Sequence, residues 1–240
     1  MKNKISMVVP AILLTACATQ HPSEKISSTK DIPVNGTDHV ALRVASTINS
    51  AADNSQEVLN VVSRSDTAMA AGLTVLQAGL TIFGGGGQAV SGFSKEDLKG
   101  SNIDSVANPS GTDLEGGLVA LVKAVDLKPE AAGKAVKVKQ RGFKLMYDGL
   151  DEDNYSFIYD TDITFNTDTS KGNYTYRCSS TALMNVDTHK TYAQWSKDNY
   201  AEVKAVAQKV ADKCVTELQT PENKSKVAQA LNGELKQPVT

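Results

Sequence analysis

The side chains of this chain with chemistry to offer are few: three histidines, three cysteines and one gathering of carboxylates. Asp148, Asp151, Glu152 and Asp153 cluster together, and Asp160 and Asp162 follow on alternate positions. Oxygen clusters of this kind hold calcium, but the spacing does not fit an EF-hand loop, and a solvated hairpin turn is the simpler reading. Asp160 and Asp162 share one face of any strand that carries them, as the paired carboxylates of a hydrolase would. Nothing nearby supplies the pocket that would hold one of them protonated. His21, His39 and His189 lie far apart, none with metal-ligand spacing, and neither Gly-x-Ser-x-Gly nor His-Glu-x-x-His occurs. Gly84 to Gly87 invites a phosphate loop. No Gly-Lys-Ser/Thr follows it, and Ala89 and Val90 stand where a dinucleotide fingerprint needs its last glycine, so a hinge or helix stop is the better reading. The expectation is a protein that is not an enzyme and holds no cofactor and no metal. What remains is the thiols of Cys17, Cys178 and Cys214.

Lys2 and Lys4 precede an uncharged apolar run, Ile5 to Leu14. At about ten residues it is too short to cross a bilayer as a permanent helix and the right length for a signal-peptide core. It closes on Leu14-Thr15-Ala16-Cys17. A branched apolar residue, two small ones and a cysteine resemble the lipobox of bacterial lipoprotein precursors. That resemblance implies a signal peptide over residues 1–16, removed before Cys17, with a diacylglycerol on the Cys17 thiol and an acyl chain such as palmitate on its new amino group. Several acyl chains together make a firm membrane anchor, where one alone binds only marginally. Ala18, rather than aspartate, follows the cysteine. By resemblance to enterobacterial lipoproteins this implies sorting to the outer membrane, with a Gram-positive cell-membrane surface as the alternative.

Charge and cysteine count agree with export. The chain holds 25 basic and 27 acidic residues, and losing Lys2 and Lys4 takes the net charge to about −4. Such a balance argues against nucleic acid as partner, and against an anionic lipid surface as the main ligand. Once Cys17 is lipidated, Cys178 and Cys214 form an even pair expected to bridge in an oxidising periplasm. Closing a loop of about 37 residues stabilises by about 4 kcal/mol in the chain-entropy estimate.

The elements that must position this pair are legible in the second half. Phe143, Leu145 and Tyr147 alternate, a polar turn follows, and Phe157, Tyr159, Thr161, Ile163 and Phe165 alternate against Ser156, Asp160, Asp162 and Thr164, with Ile158 the exception. After a loop at Asn166 to Gly172, Tyr174, Tyr176, Cys178, Ala182 and Met184 read as the apolar face of a third strand. This is the pattern of an antiparallel β-meander with one buried face. From about Tyr192 to Leu218, Trp195, Val203, Val206, Ala207, Val210, Cys214 and Leu218 recur at helical steps. Both cysteines therefore lie on apolar faces that must meet. The predicted fold is α+β, a meander covered by a long C-terminal helix.

Of thirteen aromatic residues only Phe83 and Phe93 precede Phe143. Residues 38–136 accordingly read as an Ala/Gly-rich, mainly helical region and 137–220 as an aromatic-rich α+β module. Within the former, Val40, Leu42 and Val44 fit a strand, Asp53 to Val62 a helix start, and Leu114 to Leu127 a helix ending before Pro129. Residues 17–37, polar and without apolar period, read as a flexible tether. Residues 221–240 read as a polar C-terminal tail carrying one weak helix with Val227, Ala230 and Leu231 on one face.

Thr67 to Ser94 contains no charged residue. Small residues recur seven apart, Ala71 with Ala78 and Gly72 with Gly79, before Phe83 and Gly84. The ordinary reading is a buried helix and a glycine loop. The functional one is a membrane-entering or oligomerising segment built around Gly72, Gly79, Phe83 and Gly84, since small residues let helix backbones approach closely. Ala/Gly-rich uncharged stretches also resemble those of surface-exclusion lipoproteins of conjugative plasmids. The expected function is thus a lipid-anchored envelope lipoprotein acting as a non-enzymatic protein-binding or assembly component, with an envelope protein or further copies of itself as partner. A membrane-inserting or oligomeric secretion or surface-exclusion component is the alternative.

Overall fold

The computed structural model describes residues 23–35, 38–48, 57–66, 98, 100–149, 153–168, 172–183 and 188–235. In chain order the strands are β1 (Ser23–Asn35), β2 (Asp38–Ile48), β3 (Val58–Val62), β4 (Ser101–Ala107), β5 (Ala135–Tyr147), β6 (Asn154–Phe165), β7 (Tyr174–Ser179) and β8 (His189–Thr191). The helices are α1 (Asp113–Ala124), α2 (Ser180–Leu183), α3 (Tyr192–Leu218) and α4 (Pro221–Leu231). The fold is α+β, one mixed sheet with a helical layer on one face.

Strict alternation builds the centre of the sheet. Every second residue of β6, from Tyr155 to Phe165, is buried. β5 runs antiparallel to β6 from Val136↔Phe165 to Tyr147↔Tyr155. A bulge between Gln140 and Gly142 shifts the register and the phase of β5. Val136, Val138 and Gln140 face the core before it, Phe143, Leu145 and Tyr147 after it. β7 adds antiparallel to β6 and completes the expected meander.

The rows that flank β5 and β6 are each made of two strands end to end, with β1 and β4 pairing outside β2 and β3. β2 lies parallel to residues 135–140 of β5, and β3 parallel to residues 144–146. Since β6 occupies the other side of β5 throughout, β2 and β3 share one edge in succession. β7 and β8 divide the far edge of β6 in the same way. Where β7 leaves and β8 has not yet arrived, the Ser180 hydroxyl accepts from Tyr159 N–H (3.1 Å) and donates to Phe157 C=O (3.3 Å). Phe157 N–H bonds Thr188 C=O at 2.9 Å. Backbone groups that lose their ladder are thereby paired.

The helices cover the Phe143–Tyr159 face. Trp195 of α3 is buried against Phe157, and its indole N–H donates to Tyr155 C=O at 2.8 Å. A capping box of Thr191 and Gln194 starts α3. Gly117 lets α1 approach α3 so closely that a Cβ there would collide with the Val215 side chain. Within α3, Asp198, Asn199 and Tyr200 all adopt left-handed backbone (φ 50°, 55° and 59°). Ser105 bonds Asn199 Oδ1 and the Tyr192 hydroxyl meets that of Tyr200 (3.0 and 2.9 Å), which hold this turn in place.

Several expectations are corrected. The predicted tether, residues 17–37, contains a thirteen-residue strand, β1, paired with β2 from Ser23↔Ile48 to Asn35↔Asp38. An edge strand needs few apolar residues, here Ile32 and Val34, so its composition imitates a linker. In the region 38–136, expected to be mainly helical, the described residues carry β2, β3, β4 and the start of β5 beside α1, helical residues at 64–66 and two 3-10 turns, while residues 67–97 lie outside the described residues. Val40 and Leu42 do belong to a strand, whereas Val58 to Val62 form β3 rather than a helix. The third meander strand stops at Ser179, so Ala182 lies in α2. Residues 221–231 of the predicted tail are a packed helix with Val227, Ala230 and Leu231 buried, the face expected of it.

Candidate functional site

Cys178 of β7 and Cys214 of α3 form a disulfide, with Cα atoms 5.7 Å apart and both side chains fully buried. Cys178 pairs with Thr161 across the ladder and so faces the core, while the helical stripe of α3 brings Cys214 down onto it. The bridge joins the sheet to its covering helix, as the two periodicities required. Cys17, Gly72, Gly79, Phe83 and Gly84 lie outside the described residues, as do His21, Asp151 and Glu152.

The structure separates the carboxylates into two groups. Asp160 and Asp162 do share the face of β6 opposite the helices, but each meets a guanidinium. Arg141 Nη1 lies 2.8 Å from Asp162 Oδ2, and Arg177 clasps both oxygens of Asp160. The hydrogen bond and charge of Asp160 push the Arg177 guanidinium above its ordinary value. This is a charge ladder across strands, not a carboxylate pair aimed at a substrate. Among the described residues no cluster of histidine, cysteine and carboxylate side chains fits a metal ion.

Asp148 enters a constellation the sequence reading missed. Ser156 donates to Asp148 Oδ1, His189 Nδ1 lies 3.0 Å from Asp148 Oδ2, and Ser156 Oγ is 3.0 Å from the same Nδ1. Serine, histidine and aspartate together suggest a nucleophilic triad. A working relay places the imidazole between the other two, one nitrogen toward each. Here both meet a single nitrogen and the serine bonds the aspartate directly. With its side chain 64% exposed, His189 has no enclosed site around it. The cluster joins β8 to the end of β5, since Ser156 and His189 are direct ladder partners. Its signal was faint because Asp148, Ser156 and His189 come from three separated segments.

Inside the core, Ser110 Oγ bridges the Tyr159 hydroxyl (2.6 Å) and Thr161 Oγ1 (2.9 Å). Burial pushes the Tyr159 phenol up to about 12, against the lowering effect of these hydrogen bonds. Gln140, also buried, leaves its Oε1 without a hydrogen bond. The network is sealed under α1 and α3, so it fixes packing rather than binding solute. A groove of about 310 Å³ runs between Pro33 and Val34 of β1, Val122 of α1, and Val125 and Leu127 just after α1. It stands at the low end of ligand-site volumes, and Lys123 and Asp126 at its rim have no buried polar group to converge with.

The face of the sheet away from the helices carries an ordered set of polar and charged side chains. Arg43 pairs with Lys137 across β2 and β5, and Lys139, Asp162 and Arg177 stand in one cross-strand row. Arg43, Arg141 and Arg177 are exposed; Lys137, Lys139 and Lys144 are half-buried. The signal for this column, alternating basic residues from Lys137 to Lys144, was present in the sequence and unused. Comparison with protein-family models, curated proteins and solved structures finds no match to this chain. Among the described residues, no helix is long and apolar enough to cross a membrane.

Proposed function

We propose that this chain is a lipid-anchored lipoprotein of the bacterial envelope, facing an oxidising compartment, and that its α+β domain is a non-enzymatic binding or assembly module. The buried Cys178–Cys214 bridge is the observation that carries the reading. Disulfides of this structural kind persist in exported proteins and are rare where glutathione and thioredoxin keep thiols reduced. The lipobox-like Leu14-Thr15-Ala16-Cys17 supplies the anchor, and outer-membrane sorting follows from Ala18. Binding, rather than catalysis, suits a molecule whose serine, histidine and carboxylates are spent on ladder contacts.

The test is alkaline carbonate extraction of residues 17–240 carrying Cys17→Ser, exported behind an ordinary cleavable secretory signal. Release into the supernatant supports acyl chains as the only firm link to the membrane. Retention overturns that and favours the second reading, in which the uncharged stretch 67–93 enters the bilayer as part of a secretion or surface-exclusion component.

A further inference from the structure

The chain as a whole is acidic, but the charge is not evenly spread. On the helix-free face, β2, β5, β6 and β7 contribute Arg43, Lys137, Lys139, Arg141, Lys144 and Arg177 against the two carboxylates Asp160 and Asp162. Four strands at about 4.8 Å spacing make this a patch about 14 Å across. Toward β3 the same face closes over buried Asn60 and Val62, so the basic part is bounded.

The chain enters the sheet beside this patch. Ser23 is the first residue of β1 and pairs with Ile48. Ile48 is two positions beyond Ser46, the partner of Gln140. Ser23 therefore stands level with the Arg141–Gly142 bulge, two strand spacings or about 10 Å to the side. Six residue steps separate Ser23 from Cys17, a contour of at most about 20 Å. Anything attached at Cys17 lies within about 20 Å of Ser23, which stands at the Arg141 end of the sheet. By register β1 places two acidic positions on this side, Asp31 toward the opposite end, paired with Ala41, and Glu24 at the near end, paired with Thr47. The basic surplus therefore lies on β2 and β5 rather than on β1.

We infer that the helix-free face is a docking surface for the anionic headgroups of the membrane that holds the anchor, with Arg43, Lys137, Lys139 and Arg141 toward the lipid. The occupant is argued from charge complementarity and from the short reach of the chain between Cys17 and β1. The inference rests on the lipid-anchor reading. The domain then lies sheet-down on its own bilayer and presents α1, α3 and α4 outward. Polybasic patches gain strength at an anionic surface in proportion to their charge and lose it with added salt.

The experiment is vesicle flotation of the Cys17→Ser form of residues 17–240, exported as above, on phosphatidylethanolamine–phosphatidylglycerol vesicles and on phosphatidylcholine vesicles. The expected result is flotation with the anionic vesicles only, reversed at about 0.5 M salt. Arg43→Gln with Lys139→Gln should weaken it about tenfold or more. Lys204→Gln with Lys213→Gln, exposed on α3, should leave it unchanged, with melting temperature checked for all forms. No flotation, flotation equal on phosphatidylcholine, or equal loss from the α3 pair overturns the inference. Acyl analysis of wild-type Cys17 is read separately. An unmodified thiol overturns the anchor reading and this placement of the membrane together, whereas an acylated Cys17 with no flotation overturns the docking face alone.

Discussion

At the scale of single residues, the buried bridge and the buried phenol make the sharpest claims. Cys178→Ser should cost up to about 4 kcal/mol, the chain-entropy value for a loop of this length. Thermal melts with and without reductant check it, because reductant should destabilise the wild type and leave the mutant unchanged. Tyr159 ionises at about 12 when folded, against about 10 in an unfolded chain. Below pH 10 both states keep the proton and the contribution is fully present. Between pH 10 and 12 the unfolded chain releases it first, so stability falls with rising pH, by about 2–3 kcal/mol from this group at most. Tyr159→Phe should flatten that alkaline decline in denaturant midpoints, since Ser110 and Thr161 still bond each other.

Elements are held by close approach and by repair of interrupted ladders. Gly116 and Gly117 are neighbours in α1, yet a Cβ at Gly116 meets nothing and one at Gly117 strikes Val215. Gly116→Ala should therefore stabilise by about 0.5–1 kcal/mol through helix propensity, while Gly117→Ala should destabilise, as chemical denaturation of the two would show. Ser180→Ala should cost about 1–3 kcal/mol, because Tyr159 N–H is buried and loses its acceptor. Ser180 also marks where sequence reading stopped being sufficient. The meander and the span of α3 were legible because each has one buried face, which imposes a clean period. β1 was not, since an edge strand with a half-wet face carries almost no apolar signal. Asn35-Gly36, a strong hairpin dipeptide, was the clue to it. β3, five residues with Leu59 to Val62 all buried, has no period with which to distinguish strand from helix. The basic column of β5 was obscured by the bulge at Arg141, which reverses the alternation midway.

For the whole molecule, net charge is the wrong summary. A chain of formal charge −2 concentrates basic residues on one sheet face and leaves the acidic excess elsewhere. Net charge alone argues against an anionic lipid surface as the main ligand, whereas the docking proposal rests on the local placement of Lys137, Lys139 and Arg141 together. The short span between Cys17 and Ser23 replaces the long tether read from composition and keeps the domain near whatever Cys17 is attached to. Everything at this scale depends on the chemistry of that one thiol. The most direct measurement is mass spectrometry of the N-terminal peptide of the wild-type protein taken from bacterial membranes. The expected result is a peptide beginning at Cys17, with diacylglycerol on sulfur and an acyl chain on the amino group. A peptide that retains residues 1–16, or one with an unmodified Cys17 thiol, would contradict it.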